Sequence, residues 1–211
     1  MAPTLLAAGL GRRLGGRPKS ALSIDGVSLL ERLLAAVCGG GTVSRPHVVI
    51  CPYADTLLPL TTRCGAMPLR HTLPEPSLVD SQRLAAQAHL DDPARQGMDL
   101  MLLVADLPEL AAEHIAPLLQ AWAQRATGVR AMVPVTDGVR GHPVILAHAA
   151  VQAIATLAAG QGVRDWMRQH PDAVALWPGA HPACVTDLDT PEDLQALQRR
   201  LAPAVVQWLT P

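Results

Sequence analysis

The chain has 211 residues, 49% of them hydrophobic and 17% charged, which is enough to bury a core and too apolar for a disordered segment. A net charge of −1 and an aromatic content of 2%, with Tyr53 the single tyrosine and no Phe, provide neither a basic surface nor base-stacking platforms. Nucleic acid is therefore not an expected partner. The cysteines (Cys38, Cys51, Cys64, Cys184) are widely spaced, with no CxxC pair, so free thiols in a reducing cytoplasm are expected rather than zinc or disulfides.

The opening MAPTLLAAGLGRR carries its arginines after the apolar run, the reverse of a secretory signal, and no apolar stretch is of bilayer length. A cytoplasmic protein without a membrane partner is expected. Short apolar runs at Thr4–Ala8, His47–Ile50, Met67–Arg70, Asp99–Val104 and Arg130–Val135 read as strands. Helical periodicity over Val27–Cys38, Val79–Leu90 and Glu113–Arg125 alternates with them. Further on come a strand at His142–Leu146, helices near Ala149–Leu157 and Val163–Gln169, and a strand at Val174–Trp177. A last helix, Pro191–Leu201, opens with Thr190 as N-cap, Pro191 at the first position and Asp193 completing a capping box. This alternation predicts a single domain over residues 1–211: a three-layer, Rossmann-like α/β fold with a mostly parallel sheet. The segments after Pro134 are expected to cover the acceptor side.

The stretch Leu5–Lys19 carries the most chemistry. A strand runs into a loop with glycines at 9, 11, 15 and 16, arginines at 12, 13 and 17, and Lys19. Glycines let backbone N–H groups approach phosphate, and the cations offset its charge. A dinucleotide fingerprint starting at Gly9 would need glycine where Leu14 stands, and a phosphate loop ending at Lys19 would need glycine where Pro18 stands. Neither fits, and alone the loop reads equally as a basic surface turn.

Two acidic sites follow. Asp99–Val104 is an apolar run that delivers Asp106 just past its end, before Pro108, where a carboxylate can hold magnesium against phosphates. In Asp187-Leu188-Asp189, alternation places both carboxylates on one side of an extended segment, and either can complete that site. Between them, in Asp137–Val144, Arg140 can bind an anion bidentately, Gly141 permits close backbone approach, and His142 can donate a hydrogen bond.

Together these motifs resemble a known family. LAAGLGRRLGGRPK is similar to the pyrophosphorylase-type loop of nucleotidyltransferases, written LAAGxGxRMGxPK, and most similar to that of the molybdenum cofactor nucleotidyltransferases. Asp106-Leu107-Pro108 resembles the family's metal-binding Asp-x-Pro, VTDLDTPEDL its DIDTPEDL ending, and Gly138–Val144 the GxxGHPV element of the cytidylyl branch. Gly160–Met167 resembles its GDKGAR-plus-helix segment, which brings in Arg164. The family's GMSSSLRAGL element is reduced here to Ser81 and a helical start.

The resemblance implies a nucleotide-diphospho-sugar transferase-type fold and transfer of a nucleoside monophosphate from an NTP, CTP foremost, to a molybdopterin-type cofactor. It implies that Ala7, Ala8, Gly9, Gly11, Arg12, Arg13, Lys19 and Ser81 bind nucleotide, with Lys19, Arg13 and Asp106 catalytic. Arg140, Gly141, His142 and Arg164 would bind the acceptor, and Asp106, with Asp189 ahead of Asp187, would bind Mg2+. A molybdoenzyme receiving the product is a further implied partner. Guanylyl transfer, another small acceptor, and a non-catalytic cofactor carrier are the alternatives.

Overall fold

The computed structural model describes residues 1–50 and 54–209; Cys51 and Tyr53, named above, lie outside the described residues. The chain runs β1 (Ala2–Leu6), β2 (Leu22–Ile24), β3 (Val27–Ser28), α1 (Leu29–Gly39), β4 (His47–Ile50), α2 (Ala54–Arg63), β5 (Met67–Arg70), α3 (Leu78–Asp91), β6 (Leu100–Val104) and α4 (Ala112–Ala123). It continues through β7 (Ala131–Thr136), β8 (Val139–Arg140), β9 (Val144–Leu146), α5 (His148–Ala155), α6 (Val163–Gln169), β10 (Val174–Pro178), α7 (Pro191–Leu201) and β11 (Val206–Trp208).

The main sheet has the order β10-β7-β9-β6-β1-β4-β5, with β8 paired on β7. Its β5, β4, β1 and β6 are parallel to one another, and β10 is parallel to β7. Only β8 and β9 run against their neighbours. The mostly parallel α/β architecture expected from the alternating pattern is thus the observed one.

Strand β1 is buried along its whole length because helices cover both faces of the sheet. Side-chain alternation divides the burial. Leu5 and Ala7 join Val48, Met101 and Leu103 under α1 and α2 on one face. Leu6 and Ala8 join Leu102 and Val133 against α3, α5 and α6 on the other.

The structure shifts several boundaries. Strand β1 starts and ends two residues before the expected Thr4–Ala8, and Ala7–Ala8 leave it as the start of the glycine loop. The helix read over Val27–Cys38 begins only at Leu29, because Ser28 caps it through the amide of Glu31 while Glu31 bonds back to Ser28. Val27 and Ser28 instead form β3, in a small antiparallel sheet β11-β2-β3 that no periodicity announced. His142 lies before β9, which begins at Val144, so it belongs to a turn. Helix α2, with Pro59 inside it, had no clear sequence signal.

The small sheet closes a third cluster in which Leu14 of the glycine loop packs with Leu22, Ile24, Leu29, Leu188, Leu197 and Val206. Leu188 is the residue between Asp187 and Asp189, and it is 1% exposed. The cluster therefore fastens the glycine loop to the acidic segment, although about 170 residues of chain separate them. Among the described residues, no helix is long and apolar enough to cross a membrane.

Candidate active site

In an open parallel sheet ligands bind beyond the carboxyl ends of the strands, where strand order reverses. Here that point lies beside β1, whose neighbours β4 and β6 lead the chain in opposite directions. The glycine loop leaves β1 and Asp106 follows β6, and the two exits are joined where the Ala105 amide donates to the Leu6 carbonyl at 3.0 Å. A second backbone bond, from the Leu188 amide to the Asp106 carbonyl at 3.0 Å, draws in the Asp187–Asp189 segment. Below it, Thr190 caps α7 through the Asp193 amide, and the Asp193 carboxylate accepts from the amides of Asp189 and Thr190. The capping box thus does for Thr190 and Asp193 what was expected, and it also fixes the backbone of Asp189.

A cavity of about 380 Å³ opens at this meeting point. Of the residues singled out in the sequence, Ala7, Ala8, Gly9, Lys19, Ser81, Asp106, Arg140, Gly141, His142 and Asp187 line it. At its floor the Lys19 ammonium donates to Asp106 Oδ2 at 2.9 Å and to Asp189 Oδ1. Burial opposes the charge on Lys19, yet the two carboxylates outweigh it and hold the ammonium pKa above its ordinary value. Arg13 reaches the other oxygen of Asp189 at 3.7 Å from an exposed position. Asp187 makes no ion pair among the described residues, and partial burial together with the charges of Asp106 and Asp189 outweighs its own amide and the charge of Lys19 and pushes its carboxyl above the usual range.

The opposite wall is the turn between β8 and β9. The Gly141 amide donates to the Pro134 carbonyl and the His142 amide to the Cys184 carbonyl, both at 2.8 Å. A Cβ on residue 141 would lie 2.2 Å from the Cys184 carbonyl oxygen, so this turn seats only with glycine there. His142 is half-buried with Nδ1 at 3.4 Å from the Leu102 carbonyl oxygen, and burial holds its imidazole below the ordinary histidine value. Burial thus favours the neutral imidazole, a hydrogen-bonding group, over the cation.

The remaining candidates lie apart from the cavity lining. Gly11, at φ +55°, is a turn pivot: its carbonyl accepts from Leu14 and Gly16, and a Cβ would meet the Arg17 carbonyl at 2.0 Å. Arg12 is turned to the surface, 2.5 Å from Glu75 in the loop before α3. Arg164 is exposed in a neighbouring concavity that Arg140 shares with Arg168. Sequence reasoning missed Ser77, the N-cap of α3 at the cavity wall, and Cys184, whose carbonyl anchors the turn at Gly141 and His142. Ser77 stands three residues before Asp80, a capping-box spacing readable in the sequence; nothing marked Cys184.

Residues 4–174 match the family model described as the MobA-like NTP transferase domain. The chain belongs to this family. A curated relative, nicotine blue oxidoreductase of Paenarthrobacter nicotinovorans, is 27% identical over 199 residues, covering 92% of this chain and 94% of the relative. Among solved structures, Rv0371c of Mycobacterium tuberculosis H37Rv in complex with manganese is 17% identical with a TM-score of 0.69, over 95% of this chain and 98% of that one. Molybdopterin-guanine dinucleotide biosynthesis protein A of Archaeoglobus fulgidus is 19% identical with a TM-score of 0.66, over 95% and 98% respectively. These likenesses agree with the nucleotide-diphospho-sugar transferase-type fold implied by the first loop.

Proposed function

We propose that this MobA-like chain is a cytidylyltransferase acting in the cytoplasm, moving CMP from CTP to a phosphate of a molybdopterin-type cofactor with release of pyrophosphate. The observation that carries this reading is the juxtaposition at one cavity of Lys19, Asp106 and Asp187, with Asp189 bonded to Lys19, and of Arg140-Gly141-His142 on its wall. The first group suits a nucleotide triphosphate with its cation, and the second suits an anionic acceptor. The GHPV segment supports the cytidylyl branch.

Asp106 Oδ1 is buried without a hydrogen-bond partner, and Asp187 makes no ion pair among the described residues, so these hard oxygen donors suit a magnesium ion. Asp106, Asp187 and Asp189 would hold it, and when bound it would neutralise charge on the triphosphate. The remaining chemistry is positional. The amides of Ala8 and Gly9, at the exit of β1, are available to cradle phosphate. Lys19 and Arg13 offset charge that develops on the departing pyrophosphate. Arg140 and His142 orient the acceptor so that its phosphate oxygen lies in line with the α-phosphorus. That oxygen forms the new P–O bond as the bond to the β-phosphate oxygen breaks, and the electron pair leaves with pyrophosphate. The attacking oxygen is already anionic, so no protein base is needed. The product would pass to a molybdoenzyme.

The test is pyrophosphate release with each of the four NTPs, with and without molybdopterin cofactor. Acceptor-dependent release from CTP alone is the expected result. Release from GTP instead would move the chain to guanylyl transfer, and release from none, with cofactor retained, would make it a carrier.

A further inference from the structure

Magnesium-type sites are usually completed by substrate phosphates, and the carboxylates that contribute must be free to turn their oxygens to the ion. Here one oxygen of Asp106 and one of Asp189 are already engaged by a lysine, although Asp106 Oδ1 has no partner. The Lys19 ammonium lies between Asp106 and Asp189, donating to one oxygen of each, and it is 16% exposed. No group of three acidic, histidine or cysteine side chains among the described residues is gathered as a ready metal site. The same lysine ends the glycine loop, where a triphosphate is expected to lie. It therefore has two competing sets of anions within reach of one flexible four-carbon stem: the two aspartates and the phosphates.

We infer that Lys19 is an internal counter-ion occupying the divalent-cation position, and that it must exchange from Asp106 and Asp189 to the nucleotide phosphates before the cation can enter. The fold maintains the competing arrangement. Leu14 and Leu188 share one apolar cluster, which fixes the loop and the acidic segment relative to one another, so the exchange is a movement of the Lys19 side chain alone. Arg13, 73% exposed and at 3.7 Å from Asp189, is the natural comparison, because it adds the same charge from the solvent side without entering the position between the carboxylates. A bare cation should then meet a site already neutralised by Lys19, whereas cation and nucleotide arriving together supply phosphate for the lysine and a divalent charge for the acids. Metal binding and nucleotide binding are coupled through one side chain.

This inference rests on reading Asp106 and Asp189 as cation donors, but not on which base or acceptor is used. The test is nucleotide-free titration of the full chain with Mn2+, following the free-ion EPR signal. Lys19→Met should bind Mn2+ on the order of tenfold to a hundredfold more tightly than wild type, since a like charge at contact distance has been removed. Arg13→Met should change affinity by less than about threefold, as exposed charges do. The Lys19→Met/Asp106→Asn double variant should lose the gain. If Lys19→Met does not fold by circular dichroism, Lys19→Gln serves in its place. Unchanged affinity on removing Lys19, or an equal gain from Arg13→Met, would overturn the exchange. A gain in Mn2+ affinity by Lys19→Met as expected, with no pyrophosphate released from any NTP by the wild-type chain, would refute the catalytic reading and leave the exchange standing.

Discussion

On the proposed function, replacing Arg140 by alanine should separate acceptor recognition from nucleotide binding and folding. Arg140 ends β8, where it stands opposite Val135 in the ladder with β7, and its exposed side chain makes no hydrogen bond or ion pair with the described residues. Its truncation should therefore move stability by no more than about 0.5 kcal/mol, the range for surface positions without special partners. It nevertheless lines the cavity that Lys19 and Asp106 face. A charge-assisted, bidentate pair between its guanidinium and an acceptor phosphate is worth roughly 1.5–3 kcal/mol, which corresponds to about tenfold to a hundredfold in kcat/KM. The assay is pyrophosphate release, with CTP and acceptor titrated separately and the melting temperature recorded in parallel. The expected outcome is a loss confined to the acceptor terms, unchanged CTP affinity and an unchanged melting temperature. Equal losses for both substrates, or a lower melting temperature, would show that Arg140 shapes the turn and would remove the main support for an anionic acceptor.

Lys19→Ala should lower turnover by about a hundredfold or more while the chain stays folded, the usual result of deleting a preorganised charge-stabilising donor; near-normal pyrophosphate release would remove Lys19 from the mechanism. Gly141→Ala places a methyl group 2.2 Å from the Cys184 carbonyl oxygen, so the turn must move and break the His142–Cys184 hydrogen bond. It should cost about 1–3 kcal/mol in denaturant melts and weaken the acceptor more than CTP. His47, buried beside Arg95, has its pKa lowered to about 4 from 6.5 by burial and by that arginine. The unfolded chain thus binds the extra proton between those values, and stability should fall as pH drops from 6.5 towards 4, by up to roughly 3 kcal/mol, with His47→Gln flattening the slope. Asp187 is shifted the opposite way, its carboxyl raised above 3.8 by burial and by Asp106 and Asp189. Asp187→Asn should accordingly raise the metal-free melting temperature at neutral pH, with the advantage lost as pH falls through the raised value to 3.8; no change at pH 7 would mean that the carboxylates do not repel.

Periodicity and punctuation made much of this protein readable in one dimension. The apolar runs around Leu5, Val48, Leu102 and Val133 are strands because a sheet covered on both faces demands continuous hydrophobicity, and the capping box at Thr190 is a local contract between residues three apart; the same contract at Ser28 went unread behind the apolar run from Val27. The glycines and cations from Gly9 to Lys19 stood out by their short spacing, while the resemblance to a family supplied the role proposed for them. Tertiary structure decided what lies between distant segments. That Lys19 faces Asp106 and Asp189, that Arg12 turns instead to Glu75, and that Cys184 anchors the turn at Gly141 depend on backbone bonds and packing between segments tens of residues apart or more. The three-stranded sheet follows the same logic. Its strands are only two or three residues long, too short for a period to show, and they form because Leu14, Leu22, Leu188 and Val206 can bury one another only when both ends of the chain meet. Local rules specify which residues carry charge and which carry a turn; only the packed fold specifies which charge each one meets.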